Sequence, residues 1–121
     1  VVFNNSTLGM VKLEMLVNGL PDFQTDVPDT NYAEIARAIG FHAERVEDAS
    51  RLGDAYREAF AAPGPALVEV ITDPNALSLP PAITGGQVVG FATAMSKIVL
   101  NRGIAEAFSM ATSNMRNIPR L

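Results

Sequence analysis

The period of apolar and polar positions changes several times along the chain, and each change marks an element. "VVF" followed by "NN" reads as a short buried strand over residues 1–4 that ends in polar residues, as strands of a parallel sheet do where they meet a ligand. Residues 6–9 read as a loop opening a helix over 10–17. From 18 to 30, "NGLPDFQTDVPDT" has prolines and aspartates without a period, which predicts a long surface loop of the kind that often carries function. Thr30 then stands as the N-cap of a helix in "NYAEIARAIG", with Tyr32, Ile35, Ala36 and Ile39 at helical spacing and Gly40 as its stop. "FHAERV" alternates as a strand, and "EDASRLGDAYREAFAA" is an amphipathic helix ended by Pro63 and Pro65. The apolar run "ALVEVIT" is a buried strand.

Strand, helix, strand, helix, strand in that order predicts an α/β fold, a parallel sheet with right-handed crossovers and flanking helices. Prolines bound an extended segment over 74–81. Two further helices follow, in "GGQVVGFATAMSKIVLNRG" and "IAEAFSMATSNM". The second carries an apolar stripe at Ile104, Phe108, Ala111 and Met115, extended by Ile118. The expected organisation is an α/β part over 1–75, a connector and helix over 76–102, and a C-terminal tail helix over 103–121.

Composition narrows the chemistry. A net charge of -4 with scattered basic residues opposes nucleic-acid binding, which needs clustered cations to neutralise phosphate. The absence of cysteine removes disulfides, thiolate metal sites and a cysteine nucleophile together, and fits a reducing cytoplasm. His42, the single histidine, excludes a multi-histidine zinc site and has no evident carboxylate partner; it reads as a strand-surface or packing residue. No run approaches the about 18 apolar residues of a membrane span.

The candidate chemistry gathers at the first strand end, in "VVFNNSTLGMVKLEM". The amide oxygen of Asn5 suits a hard cation such as Mg²⁺, which takes few protein ligands and completes its shell with phosphate oxygens. Gly9 lets the backbone come close to a diphosphate, and the helix opening beside it offers N–H groups to the same anion. A lone "NN" more often caps or turns the chain. The longer pattern is more specific: it resembles the end of the thiamine diphosphate motif, in which a Gly-Asp-Gly is followed downstream by such an Asn-Asn strand end.

"DTNYAEIARAIG", "RVEDASRLGDAYREAFAAPGPALVEVITDP" and "LSLPPAITGGQVVGF" extend the resemblance, to the C-terminal pyrophosphate-binding domain of pyruvate oxidases and quinone-dependent pyruvate dehydrogenases. The resemblance implies a carboxyl-terminal part of the catalytic subunit, cut just before the Asn-Asn strand, with the Gly-Asp-Gly and its Asp ligand outside the chain. It implies that Asn5 and Thr7 are Mg²⁺ ligands, Asn5 by its side chain and Thr7 by its backbone carbonyl. Asn5, Thr7, Leu8, Gly9 and Met10 would meet the cofactor, with Glu14 as the catalytic carboxylate of the substrate pocket. Thiamine diphosphate, Mg²⁺ and FAD are the implied cofactors, FAD held mainly upstream. The implied partners are pyruvate and further copies of the subunit, as a homotetramer. A cytoplasmic enzyme follows, with peripheral contact between the tail and the inner membrane face as an alternative to packing on protein.

Glu14 favours the pyruvate oxidase branch, because acetolactate synthases resemble this stretch through "LGMV" but carry Gln-Trp at Leu13 and Glu14. Met10 points the other way, since many pyruvate oxidases have an aromatic residue there. Acetolactate synthase is therefore one alternative, and a non-catalytic α/β interaction module another. His42 and the charge run "RVEDASRLGDAYRE" have no role in either, the latter being a solvated helix face.

Overall fold

The computed structural model describes residues 1–77 and 82–115 of the chain, and these form two units. The first consists of residues 1–6 and 28–72, the second of 7–27 and 73–121. Residues 7–27, which the sequence groups with the sheet, thus cluster with the later helices.

In the first unit, β1 (Val2–Asn4), β2 (His42–Val46) and β3 (Ala66–Ile71) form a parallel sheet in the order β1-β3-β2. Strand periodicity divides β3 between two faces. Leu67 packs with Ala33, Ala36, Phe41 and Ala43, while Val68 and Val70 pack with Val46, Leu52, Ala55, Tyr56 and Ala59. Helix α2 (Tyr32–Ala38) therefore covers one face and α3 (Leu52–Ala61), preceded by a 3-10 turn at Ala49–Arg51, covers the other. The predicted α/β class, with a small parallel sheet and flanking helices, is the observed one.

Two details of α2 differ from expectation. Its N-cap is Asn31, whose side chain accepts from the Glu34 amide at 2.9 Å, and not Thr30. The buried face consists of Ala33 and Ala36, while Tyr32, Ile35 and Ile39 are exposed. Small residues let the α2 backbone come close enough to the sheet for its first turn to meet a buried strand side chain, a contact that larger residues on that face would hold away.

The second unit is helical: α1 (Gly9–Val17), α4 (Gly85–Arg102) and α5 (Ile104–Asn114) bury Leu13, Leu16, Leu77, Ala94, Ile98 and Met110. Thr84 opens α4 with a capping box, exchanging hydrogen bonds with Gln87. Where α1 ends against α4, glycine is required: a Cβ on Gly90 would stand 1.8 Å from the Val17 carbonyl oxygen.

The apolar stripe of α5 faces away from the core of its own unit. Ile104, Phe108 and Met115 are 73%, 67% and 68% exposed, and Ala111 is exposed too. The packed face is Ala107, Met110 and Asn114, and much of its hold is polar. Asn114 Oδ1 accepts from the Leu77 amide (2.8 Å), while its Nδ2 donates to the carbonyls of Asn75 (2.7 Å) and Met110 (2.8 Å). Ser113 donates to Asp73 (2.6 Å), and Asn75 donates to Ser109 (3.2 Å). The segment after β3 thus docks α5 by imitating strand pairing with side chains. Ile118, Arg116, Arg120 and part of the proline-bounded segment lie outside the described residues.

Two outcomes follow for stability. Gly90→Ala forces the α1–α4 contact apart and should lower stability by about 1–3 kcal/mol, an overpacking cost read as a lower denaturant midpoint. Asn114→Ala leaves the buried Leu77 amide without its acceptor and should cost about 1–3 kcal/mol. Hydrogen exchange at Leu77 should then quicken, while exchange in β3 stays unchanged.

Candidate functional site

The polar pair ending β1 splits into two different residues. Asn4 is buried and its side chain is fully committed. Its Nδ2 donates to Glu69 Oε1 (2.7 Å) and to the Thr30 carbonyl (3.0 Å), while its Oδ1 accepts from the Ser6 amide (3.1 Å). The last bond closes an Asx turn around Asn5. Ser6 takes a left-handed φ of 49° in that turn, a conformation that costs a non-glycine residue unless its surroundings hold it. The Asn4 carbonyl continues the sheet by accepting from the Thr72 amide (2.9 Å). Asn5, half-buried, is the residue carried across the turn.

Glu69, 0% exposed in the central strand, is the residue that the sequence analysis missed. Its carboxylate meets three elements: Asn4 of β1, the Ala33 amide in the first turn of α2 (to Oε2, 3.0 Å), and Arg45 of β2 (Nη1 to Oε1, 3.4 Å). Register explains the meeting. Arg45 pairs directly with Glu69, and Val2 does so on the other side, placing Asn4 two residues on and on the same face. Arg45 also forms a fork with Asp29 (2.9 and 3.1 Å), and this hydrogen bond, above all, raises the guanidinium pKa further, so the group stays charged. The signal for Glu69 was a lone carboxylate in "ALVEVI", and its partner was the Arg in "HAERV".

Thr7, Leu8, Gly9, Met10 and Glu14 belong to the helical unit. Thr7 is buried, its hydroxyl donating to the Thr25 carbonyl (3.1 Å), and the Leu8 amide donates to the same oxygen (2.7 Å). Thr7 also bridges Asp26 in antiparallel fashion, so the turn into α1 is pinned by residues 25–26 of the long loop. Beside it, the buried Thr25 hydroxyl has no hydrogen-bond partner among the described residues. Helix α1 begins at Gly9 with no side-chain cap and no acidic residue in its first turn, leaving its opening amides suited to an anion. Leu8, Met10 and Glu14 are exposed.

Lys12, one turn into α1, is buried and holds the helix from below. Its ammonium donates to Asn75 Oδ1 (3.1 Å) and lies 4.0 Å from Asp22, which is also bound by Arg102 through side chain (3.1 Å) and carbonyl (2.7 Å). Lys12 is thus committed to these partners rather than to Glu14.

The donor chemistry fits a magnesium diphosphate held jointly by protein and ligand. Asn5 offers a neutral amide oxygen and Thr7 a carbonyl, and no cluster of three His, Cys, Asp or Glu suited to a metal occurs among the described residues. Neutral oxygen donors of this kind suit a partial coordination shell rather than a complete cage, which Mg²⁺ accepts when phosphate oxygens supply the rest.

Comparison with known proteins fits this chemistry. Residues 1–70 match the family model described as "Thiamine pyrophosphate enzyme, C-terminal TPP binding domain". The "Putative thiamine pyrophosphate-containing protein YdaP" of Bacillus subtilis (strain 168) is 36% identical over 97 residues, which is 80% of this chain and 17% of that protein. The "Acetolactate synthase large subunit IlvG" of Mycobacterium tuberculosis and a "Probable acetolactate synthase" of Mycobacterium bovis are each 38% identical over 76 residues, 62% of this chain and 14% of theirs. The chain spans less than a fifth of the length of these curated relatives. With an α/β fold, a strand-end asparagine pair and an uncapped helix start within the matched residues, the chain belongs to the thiamine pyrophosphate enzyme family, as its C-terminal TPP binding domain.

Proposed function

We propose that the chain supplies the diphosphate side of an enzyme that decarboxylates pyruvate oxidatively, with thiamine diphosphate, Mg²⁺ and FAD. The observation that carries the proposal is Asn5 on an Asx turn whose closing residue, Asn4, is fixed from inside the sheet. In this reading the Asn5 amide oxygen and the Thr7 carbonyl bind Mg²⁺, and the amides opening α1 from Gly9 receive diphosphate oxygens. Leu8 and Met10 line the cofactor with apolar surface that excludes water. Glu14, an exposed carboxylate on α1, reaches the substrate and moves or orients its proton. The cofactor supplies the electron sink for loss of carbon dioxide.

Within this reading FAD would accept the two electrons, and the product would be acetate, formed with water, when a quinone is the final acceptor, or acetyl phosphate, formed with inorganic phosphate, when oxygen is. A cytoplasmic homo-oligomer, with a tail that meets the inner membrane face, accompanies the quinone branch. The outward apolar face of α5 supports such a contact, although the helix itself is docked through its polar side.

Acetolactate synthesis is the second reading, favoured by the names of two relatives and by Met10. The two readings differ in product. With pyruvate, thiamine diphosphate, Mg²⁺, FAD and an artificial electron acceptor, the longer enzyme containing these residues should reduce the acceptor and form acetate. Acetolactate without acceptor reduction decides for the second reading.

Asn5→Ala should weaken Mg²⁺ and thiamine diphosphate together, about tenfold or more, because the ion joins protein to diphosphate. Calorimetric titration of each ligand checks this, and unchanged titrations reduce Asn5 to a turn residue. Glu14→Gln should lower turnover of pyruvate while leaving both titrations near wild type, and wild-type kinetics would remove Glu14 from the pocket.

A further inference from the structure

We propose that Glu69 is a positioning residue for the cation site, acting through Asn4 to set the direction in which Asn5 presents its oxygens. This inference rests on the reading of Asn5 as a Mg²⁺ ligand. Glu69 itself touches neither ligand nor reacting atoms.

The argument turns on the orientation of one amide. Asn4 Nδ2 faces two acceptors, Glu69 Oε1 at 2.7 Å and the Thr30 carbonyl at 3.0 Å. A rotated amide would set oxygen against a buried carboxylate and a carbonyl, so the NH₂ end is fixed there. The oxygen end is then fixed as well, and it is this end that accepts from the Ser6 amide at 3.1 Å. Asn5 lies between the two bonded residues. Its backbone direction is thus set by a side chain whose own orientation is set by Glu69.

Glu69 in turn has little freedom. It sits in the middle strand of the sheet, fully buried, with Oε2 taking the Ala33 amide at 3.0 Å and Oε1 shared with Arg45 at 3.4 Å. Without the carboxylate, the NH₂ end of Asn4 keeps only Thr30 as an anchor, and the constraint behind the 49° φ of Ser6 weakens. Partners that orient a metal ligand in this way typically change metal affinity about 10–100-fold when removed.

Glu69→Leu is the sharpest probe, because it stays close in shape and removes both acceptors, whereas Gln would keep the Asn4 bond by turning its oxygen to Asn4 and Arg45. In the longer enzyme, with thiamine diphosphate saturating, the Mg²⁺ dissociation constant read by calorimetry should rise about tenfold or more. Val46→Ala, on the opposite face of the sheet, serves as the control for lost stability: with a comparable fall in Tm it should leave Mg²⁺ affinity unchanged.

If Glu69→Leu fails to fold, Asn4→Ala cuts the same link while the carboxylate keeps Ala33 and Arg45, and it should show the same loss. Wild-type Mg²⁺ affinity in Glu69→Leu or in Asn4→Ala, or an equal loss in Val46→Ala, overturns the positioning role while Asn5→Ala still weakens the metal. Unchanged affinity in Asn5→Ala overturns instead the reading beneath it.

Discussion

A carboxylate sealed in the middle of a three-stranded sheet constrains everything around it. Removing an ion of that size from water costs several kcal/mol even after the protein relaxes, and the cost falls only when each oxygen is met by a donor in good geometry. Hydrogen bonds to charged groups return about 1.5–3 kcal/mol each, so no single partner of Glu69 suffices. Asn4, Ala33 and Arg45 are needed together. They come from the strands on either side and from the helix above, so a slip of β1 by one residue would turn Asn4 to the opposite face and leave the charge under-bonded. The ion contributes less as a source of stability than as a condition on register.

That condition accounts for choices elsewhere in the sheet unit. Helix α2 has alanines on its packed face because its first turn must bring the Ala33 amide to a strand side chain, and a larger residue would prevent the approach. Arg45 spends its guanidinium on Asp29, Glu47 and Glu69 at once, spreading one cation over three carboxylates. The opposite face has no such demands, and there Val46, Val68 and Val70 pack on α3 by apolar contact alone.

How much was legible in the sequence follows from this division. Elements defined by period were readable: β2, β3, α3 and α4 fall where alternation, amphipathicity and proline stops put them. Which face each element buries was less readable, because period alone assumes that apolar means inward. In α2 and α5 that assumption fails for opposite reasons. Close approach selected alanine over Ile35 and Ile39 in α2, whereas in α5 side-chain amides and hydroxyls matched an unpaired loop backbone more strongly than Phe108 and Ile104 found apolar partners. The strand-end motif was legible as a pattern, yet its inner support was not, since Glu69 lies far along the chain and appears in sequence only as an interruption of an apolar run.

The two asparagines have different surroundings, and in the proposed reading they have different tasks: Asn5 would face the ion, while Asn4 holds the backbone that carries it. A neighbouring amide is suited to the second task because it carries donor and acceptor at opposite ends: one end takes the buried carboxylate, the other closes the turn. Aspartate at position 4 would bring a second negative charge against Glu69, and serine would be too short to span both contacts. Asparagine at position 4 therefore reflects a requirement imposed by the interior of the sheet, one that holds whatever position 5 binds.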